Sequence, residues 1–197
     1  MAGLIILEGI DGCGKSTVAK RLAETIGGNV VLTREPTDSW MGRAVKDGDG
    51  KEVSPYTDAL LFMTDRAYHV AEMVEEIKKG KLVICDRYYH STVAYQTASL
   101  RRKGLGNNFD WLLDANTRIA IKPDATYLLR VPVDVALKRM SDRPEKSRFE
   151  KAEFLQEVSA NYDRLASMDS TIIMIDATKD PDEVLEQILS DIKERNI

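Results

Sequence analysis

The sequence predicts an α/β fold: one domain over residues 1–197, with a five-stranded parallel sheet and helices on both faces. Three observations predict it. Short apolar, β-branched runs at 3–7, 29–32, 82–85, 125–131 and 171–175 alternate with stretches of helical period. The first run leads into Gly9-Ile10-Asp11-Gly12-Cys13-Gly14-Lys15-Ser16-Thr17, which fits the phosphate-loop pattern G-x-x-x-x-G-K-[ST], and Val18, Ala19, Leu22 and Ala23 then open a helix. The remaining reactive side chains follow directly on the carboxyl ends of the apolar runs, where a sheet of this kind gathers its ligands.

The loop's residue types follow from what a polyphosphate requires. Glycine at 9, 12 and 14 lets the backbone N–H groups curl inward, where they and the positive end of the next helix hold phosphate oxygens. Residues 9–17 are therefore the candidate ATP-binding set, with Lys15 reaching the β and γ oxygens and the Ser16 hydroxyl a ligand for Mg2+. Composition narrows the partners. Twenty-eight Lys and Arg against 32 Asp and Glu give a formal net charge of -4, which lacks the basic footprint of a protein that binds polymeric nucleic acid. No apolar run approaches the roughly 20 residues of a membrane span, and the N-terminus has neither a basic leader nor a cleavage signal, so the chain is expected in the cytoplasm. Cys13 and Cys85 stand in no zinc or disulfide spacing and are expected to be small apolar fillers.

The second run continues into Thr33-Arg34-Glu35-Pro36-Thr37. Pro36 ends any extension and puts Arg34 on the rim of the phosphate loop, as a phosphate clamp or as a solvated arginine. A helical pattern at 40–45 gives way to a polar loop at 46–51. Ser54 then caps, and Pro55 opens, a long helix that Gly80 ends, with Leu60, Met63, Ala67, Val70, Val74 and Ile77 as its expected core stripe. Phe62 and Arg66 lie on a neighbouring face. They pair a ring that can stack on a base with a guanidinium that can bond its edge, unless Phe62 is core and Arg66 surface.

The third run delivers Asp86-Arg87-Tyr88 to the strand tips. A nucleotide kinase has an acid near its metal there and an arginine between donor and acceptor phosphates; a buried ion pair of Asp86 with Arg87 or Lys15 is the alternative. On the following helix Tyr88, Ser91, Thr92, Tyr95 and Gln96 share a polar face, which reads bases and sugars if it lines a cleft. His69 and His90 have no ligand spacing and are given no chemistry. The segment 140–150 continues a basic run, Lys138, Arg139, Arg143, Lys146 and Arg148, interrupted by Pro144. It reads as a mobile lid that brings an arginine to the transferring phosphoryl group, or as a solvated charge cluster. After the fifth run, Ala177-Thr178-Lys179-Asp180 forms a loop suited to an adenine, and 181–193 a closing helix.

Together these blocks resemble the thymidylate kinase family over nearly the whole chain. The resemblance rests on residues 8–17, on Thr33-Arg34-Glu35-Pro36, on Leu61-Phe62 with Asp65-Arg66, and on Asp86-Arg87-Tyr88 with Ser91-Thr92 and Ala94-Tyr95-Gln96. It implies a phosphate-loop nucleoside monophosphate kinase that phosphorylates dTMP to dTDP with ATP and Mg2+. By the same resemblance Phe62 would stack on thymine, Arg66 would bond its O4, Thr92 would lie near N3, and Tyr95 and Gln96 would sit close to base and sugar. Arg34 and Arg87 would hold the dTMP phosphate, Asp86 would serve the metal, and Asp11 would face the sugar 3'-hydroxyl or the metal. The loop offers Gly12 where some members carry an arginine, so Arg143 and Arg148 of the lid would supply that charge. A homodimer through the long helices is also implied. The chain departs from the family at Thr37-Asp38, where many members have two glycines, and in the loop from Gly48 to Gly50.

Two other readings remain at this point. One is a kinase for another nucleoside monophosphate or for a deoxynucleoside, since the loop and Asp86-Arg87-Tyr88 serve those equally. The other is a GTP-dependent switch, against which stands the missing guanine-reading motif N-K-x-D.

Overall fold

The computed structural model describes residues 2–48, 51, 53–140 and 151–197, and the backbone of 146–150. In order the elements are β1 (Gly3–Glu8), α1 (Lys15–Ile26), β2 (Val30–Arg34), α2 (Trp40–Gly48), α3 (Pro55–Lys78), β3 (Leu82–Asp86), α4 (Tyr89–Arg102), α5 (Phe109–Ile119), β4 (Ala125–Arg130), α6 (Val133–Arg139), α7 (Lys146–Met168), β5 (Ile172–Asp176) and α8 (Pro181–Arg195). All five strands are parallel, in the order β2-β3-β1-β4-β5. Helix α1 packs with α8 against one face, while α3, α4, α5 and α7 pack on one another across the other.

The central strands have near-continuous apolar sequences because helices cover them on both sides. Leu4 to Leu7 of β1, Leu82 to Cys85 of β3 and Tyr127 to Leu129 of β4 are all buried. The edge strands are not enclosed in this way: Leu32 of β2 and Met174 of β5 are exposed. The register pairs Leu7 with Asp86 and Arg34 with Asp86, so the phosphate-loop strand, the Asp86-Arg87 tip and the Arg34 tip end side by side.

Several expectations are corrected. The two strands carrying reactive tips run further than their apolar runs, β2 to Arg34 and β3 to Asp86, because ladder pairing continues through polar residues. The polar loop expected at 46–51 is still helical to Gly48. Ser54 does cap α3, accepting the Tyr56 N–H at 3.3 Å, but the expected core stripe is only partly inward, with Val70 and Ile77 packed against the core. Leu60 is 53% exposed and Ala67 is exposed too; Met63, Val70, Val74 and Ile77 are half-buried. The face that α3 buries carries Ala59, Asp65, Arg66, His69 and Met73. Three ionisable side chains occupy it because each finds a buried partner, which is the condition for removing such groups from water. The end of the segment read as a lid, 146–150, is the first turn of α7. Helix α5 was not anticipated.

Candidate active site

The phosphate loop joins β1 to α1 in backbone conformations that require glycine. Gly9 has φ +139° and Gly12 φ +82°, and a Cβ at either would lie 2.5 Å from a backbone carbonyl oxygen, of Leu129 and of Ala136 respectively. Neighbouring backbone therefore fixes the loop as tightly as its own turn does. Lys15 is buried, and its Nζ donates to the carbonyl oxygens of Gly9 at 3.0 Å and Ile10 at 2.9 Å. Its positive charge thus stands within the cradle, at the N-terminus of α1. Arg139 of α6 ties this loop to the turn after β5 by donating to the carbonyl oxygens of Cys13 and Ala177, at 3.5 and 3.1 Å.

At the tip of β3, Asp86 and Arg87 have different partners. Asp86 Oδ2 accepts the Ser16 hydroxyl at 2.5 Å, and Oδ1 is buried without a partner among the described residues. Arg87 donates to Asp11 Oδ1 at 2.5 Å and to Ser91 Oγ at 3.0 Å, with its guanidinium 5.2 Å from the Tyr95 ring centre. The hydroxyl of Tyr95 in turn accepts the Asp11 N–H at 2.9 Å. The alternative of an Asp86 ion pair with Arg87 or Lys15 is therefore not realised. An orphaned carboxylate oxygen beside a hydroxyl is the donor set of a hard cation that keeps most of its ligands from water and phosphate, as Mg2+ does. The described residues contain no group of three or more His, Cys, Asp or Glu that could hold a metal by themselves.

A cavity of about 440 Å3 brings together most of the residues singled out from sequence: Asp11, Phe62, Arg66, Arg87, Thr92, Tyr95 and Gln96 all line it, with Tyr88 and Ser91. The polar face of α4 thus does face a cleft. Arg66 is buried but not simply core, since it lines this cavity while its guanidinium is held on three sides. It donates to Glu35 Oε2 at 2.6 Å, Thr92 Oγ1 at 2.9 Å and Asn116 Oδ1 at 2.5 Å, leaving Nε–H without a partner among the described residues. His69 continues the network, 3.1 Å from Glu35 Oε1 through Nδ1 and 2.8 Å from Thr33 Oγ1 through Nε2.

Arg34 is not in that cavity. It lines a neighbouring one of about 600 Å3 together with Ser16, Asp38 and Asp86, and it donates to Asp38 at 3.2 Å. Asp38 also takes Lys46 at 2.5 Å; these two cations, Lys46 foremost, lower its pKa. Of the lid arginines, Arg143 lies outside the described residues, and so does the side chain of Arg148.

Sequence reasoning gave no role to Glu8, Glu35, Asn116 and Tyr162, and it read Arg139 into the basic run of the lid, whereas Arg139 ties the phosphate loop to the turn after β5. Glu35 and Glu8 stood inside quoted blocks without a role. Asn116 and Tyr162 gave no signal at all, because their partners lie 50 and 154 residues away.

A parallel sheet with a phosphate loop on one strand tip and an acid-arginine pair on the adjacent tip, flanking a cavity of small-ligand size, defines a phosphate-loop nucleotide kinase. Sequence comparison narrows that class. The chain belongs to the thymidylate kinase family, whose sequence model, described as Thymidylate kinase, matches residues 7–188. It is 42% identical to a probable thymidylate kinase of Thermococcus kodakarensis, over 94% of this chain and 95% of that protein. The probable thymidylate kinases of Pyrococcus abyssi and Methanosarcina barkeri are 39% and 38% identical, over 96% and 97% of this chain and 95% and 96% of theirs.

Proposed function

We infer that this chain catalyses the ATP-dependent phosphorylation of dTMP to dTDP. The observation that carries the reading is the single cavity that Arg87 and Asp11, from two adjacent strand tips, share with Phe62, Arg66, Thr92 and Gln96. Family membership supports the same substrate. The Phe62 ring offers a stacking surface, and Arg66, fixed by three acceptors, offers its unengaged N–H to a pyrimidine carbonyl. Thr92 and Gln96 complete a polar edge for the base, Tyr95 adjoins base and sugar, and Asp11 suits the 3'-hydroxyl.

In the reaction an oxygen of the dTMP phosphate attacks the γ-phosphorus of ATP, the bond to the β-phosphate oxygen breaks, and ADP departs. A phosphate nucleophile that is already ionised needs no general base. The protein's contribution is then positioning and charge neutralisation by Lys15 and Arg87, with Arg34 on the acceptor phosphate and Arg143 and Arg148 at the transferring group. Mg2+, held by Ser16 and Asp86 with the ATP phosphates, would supply further neutralisation of the developing charge.

The test is a panel of dTMP, dUMP, dCMP, UMP and thymidine with ATP. The highest kcat/KM is expected for dTMP; equal use of thymidine or UMP would sink the assignment. ATP against GTP as donor separates the kinase from a GTP-dependent switch, which nothing in the site favours.

Asp38 gives a second, sharper expectation. Because it competes for the guanidinium that we assign to the acceptor phosphate, Asp38→Asn should lower KM for dTMP about threefold and leave kcat within twofold, the scale of an exposed ion pair. Steady-state kinetics read this directly, and a raised KM would mean that Asp38 orients Arg34 instead.

A second copy of the chain is the partner we infer for α3 and α5. Tyr56, Leu60, Tyr68 and Trp111 are all exposed, more apolar surface than a water-facing pair of helices needs. Light scattering should give the mass of two chains; a monomer at micromolar concentration would refute it. Among the described residues no helix is long and apolar enough to cross a membrane. The free, buried thiols of Cys13 and Cys85 suit a reducing compartment and support a cytoplasmic location.

A further inference from the structure

We propose that Glu8 is a positioning residue for Arg87: from the tip of β1 it holds the turn that aims the arginine at the phosphate loop. The proposal rests on the reading of this chain as a dTMP kinase and deepens it.

Arg87 has φ +73°, in the left-handed region that a branched or long side chain enters only when its surroundings hold it there. Two successive residues of β1 hold it. The Arg87 N–H donates to the Leu7 carbonyl at 2.9 Å, and the Tyr88 N–H donates to Glu8 Oε1 at 2.7 Å. The same oxygen takes the Ser91 N–H at 3.1 Å, a donor in the first turn of α4 that it shares with the Tyr88 carbonyl, also at 3.1 Å. A single carboxylate oxygen therefore fixes both ends of the turn that follows Arg87.

The second oxygen acts on the side chain. Glu8 Oε2 accepts the Ser91 hydroxyl at 2.6 Å, and with that proton committed the Ser91 oxygen is left to accept from Arg87 at 3.0 Å. The guanidinium is thereby directed so that its other nitrogen meets Asp11 of the loop. Tyr162 of α7 adds a further donor to Oε2 at 2.8 Å; burial and the Glu8 charge both raise its pKa, so it keeps its proton. Glu8 itself is fully buried, which would raise its own pKa, but His90, the Ser91 hydroxyl and the Arg87 charge outweigh that and keep it ionised. Helix α7 opens at Lys146, so the element that follows the lid segment is pinned to the same carboxylate as the arginine.

A carboxylate that only stabilised the fold would act independently of the arginine, whereas a positioning residue acts through it. The experiment measures kcat and KM for Ser91→Ala and Glu8→Gln, each alone and combined with Arg87→Lys, and melting temperatures for all. Ser91→Ala is expected to lower kcat at least tenfold, with KM for ATP within twofold and an unchanged fold; Glu8→Gln should do the same. Added to Arg87→Lys, either change should cost less than a further threefold. A kcat within twofold of wild type for Ser91→Ala, or a loss as large in the Arg87→Lys background as alone, would overturn the proposal. Should Glu8→Gln fail to fold, the Ser91→Ala pair decides it. Wild-type protein inert toward dTMP would overturn the functional reading as well, whereas active wild type with unaffected variants overturns only the positioning.

Discussion

Lys15→Ala is expected to lower kcat for dTMP phosphorylation by about a thousandfold, the scale of removing one preorganised donor from a developing charge. The melting temperature should fall by only about 5 °C. In the ligand-free chain the ammonium is held by the carbonyl oxygens of Gly9 and Ile10, bonds whose net worth is about 1 kcal/mol each because water can replace them. Among the described residues no other lysine donates into the loop; Arg139 reaches only its outer carbonyl, of Cys13, at 3.5 Å. ADP release in a coupled assay, with circular dichroism on the same preparation, checks both halves. Turnover within tenfold of wild type would remove Lys15 from the chemistry.

Arg66→Met should be costly twice over. It leaves Glu35, whose side chain is 3% exposed, without its 2.6 Å cationic partner, and breaking a buried pair from one side costs about 3–5 kcal/mol. For a chain of this size that lowers the melting temperature by roughly 10 °C. It also removes the buried donor from the cavity, so dTMP KM should rise by about a hundredfold, the loss of a charged hydrogen bond. The two effects separate in Arg66→Met combined with Glu35→Gln. That variant should recover much of the stability, because no unpaired charge remains, and none of the affinity. Recovery of dTMP affinity there would show that the single change acted through the fold alone.

The sheet was legible because its central strands are covered on both sides and so must be apolar throughout, as in Leu4 to Leu7 and Leu82 to Cys85. The phosphate loop was legible because Gly9 and Gly12 answer to a backbone geometry that admits no other residue. What periodicity could not reveal was α3. Its inward face carries Asp65, Arg66 and His69, so counting apolar residues at helical spacing selected Leu60 and Ala67, which turn outward. The polar face of α4 was visible as a pattern, but whether it faced water or a cleft depended on tertiary packing. The partners that hold the arginines were hidden for a simpler reason. Glu8 meets Tyr162 and Arg66 meets Asn116 across long stretches of chain, and no local pattern encodes such a meeting.

The strand order has a consequence for how the chain emerges during synthesis. The first two strands are not neighbours; the gap between them stays open until residues 82–86 have been made and can slot in. An amino-terminal half lacking that insert can close neither the wall behind Ser16 nor the seat of Arg87. The growing polypeptide therefore has the glycine-rich turn well before it has the Asp86 and Arg87 that stand beside it. Because domains tend to fold as units once their distant segments are available, binding competence should appear in a single late step, well after the loop itself has left the ribosome.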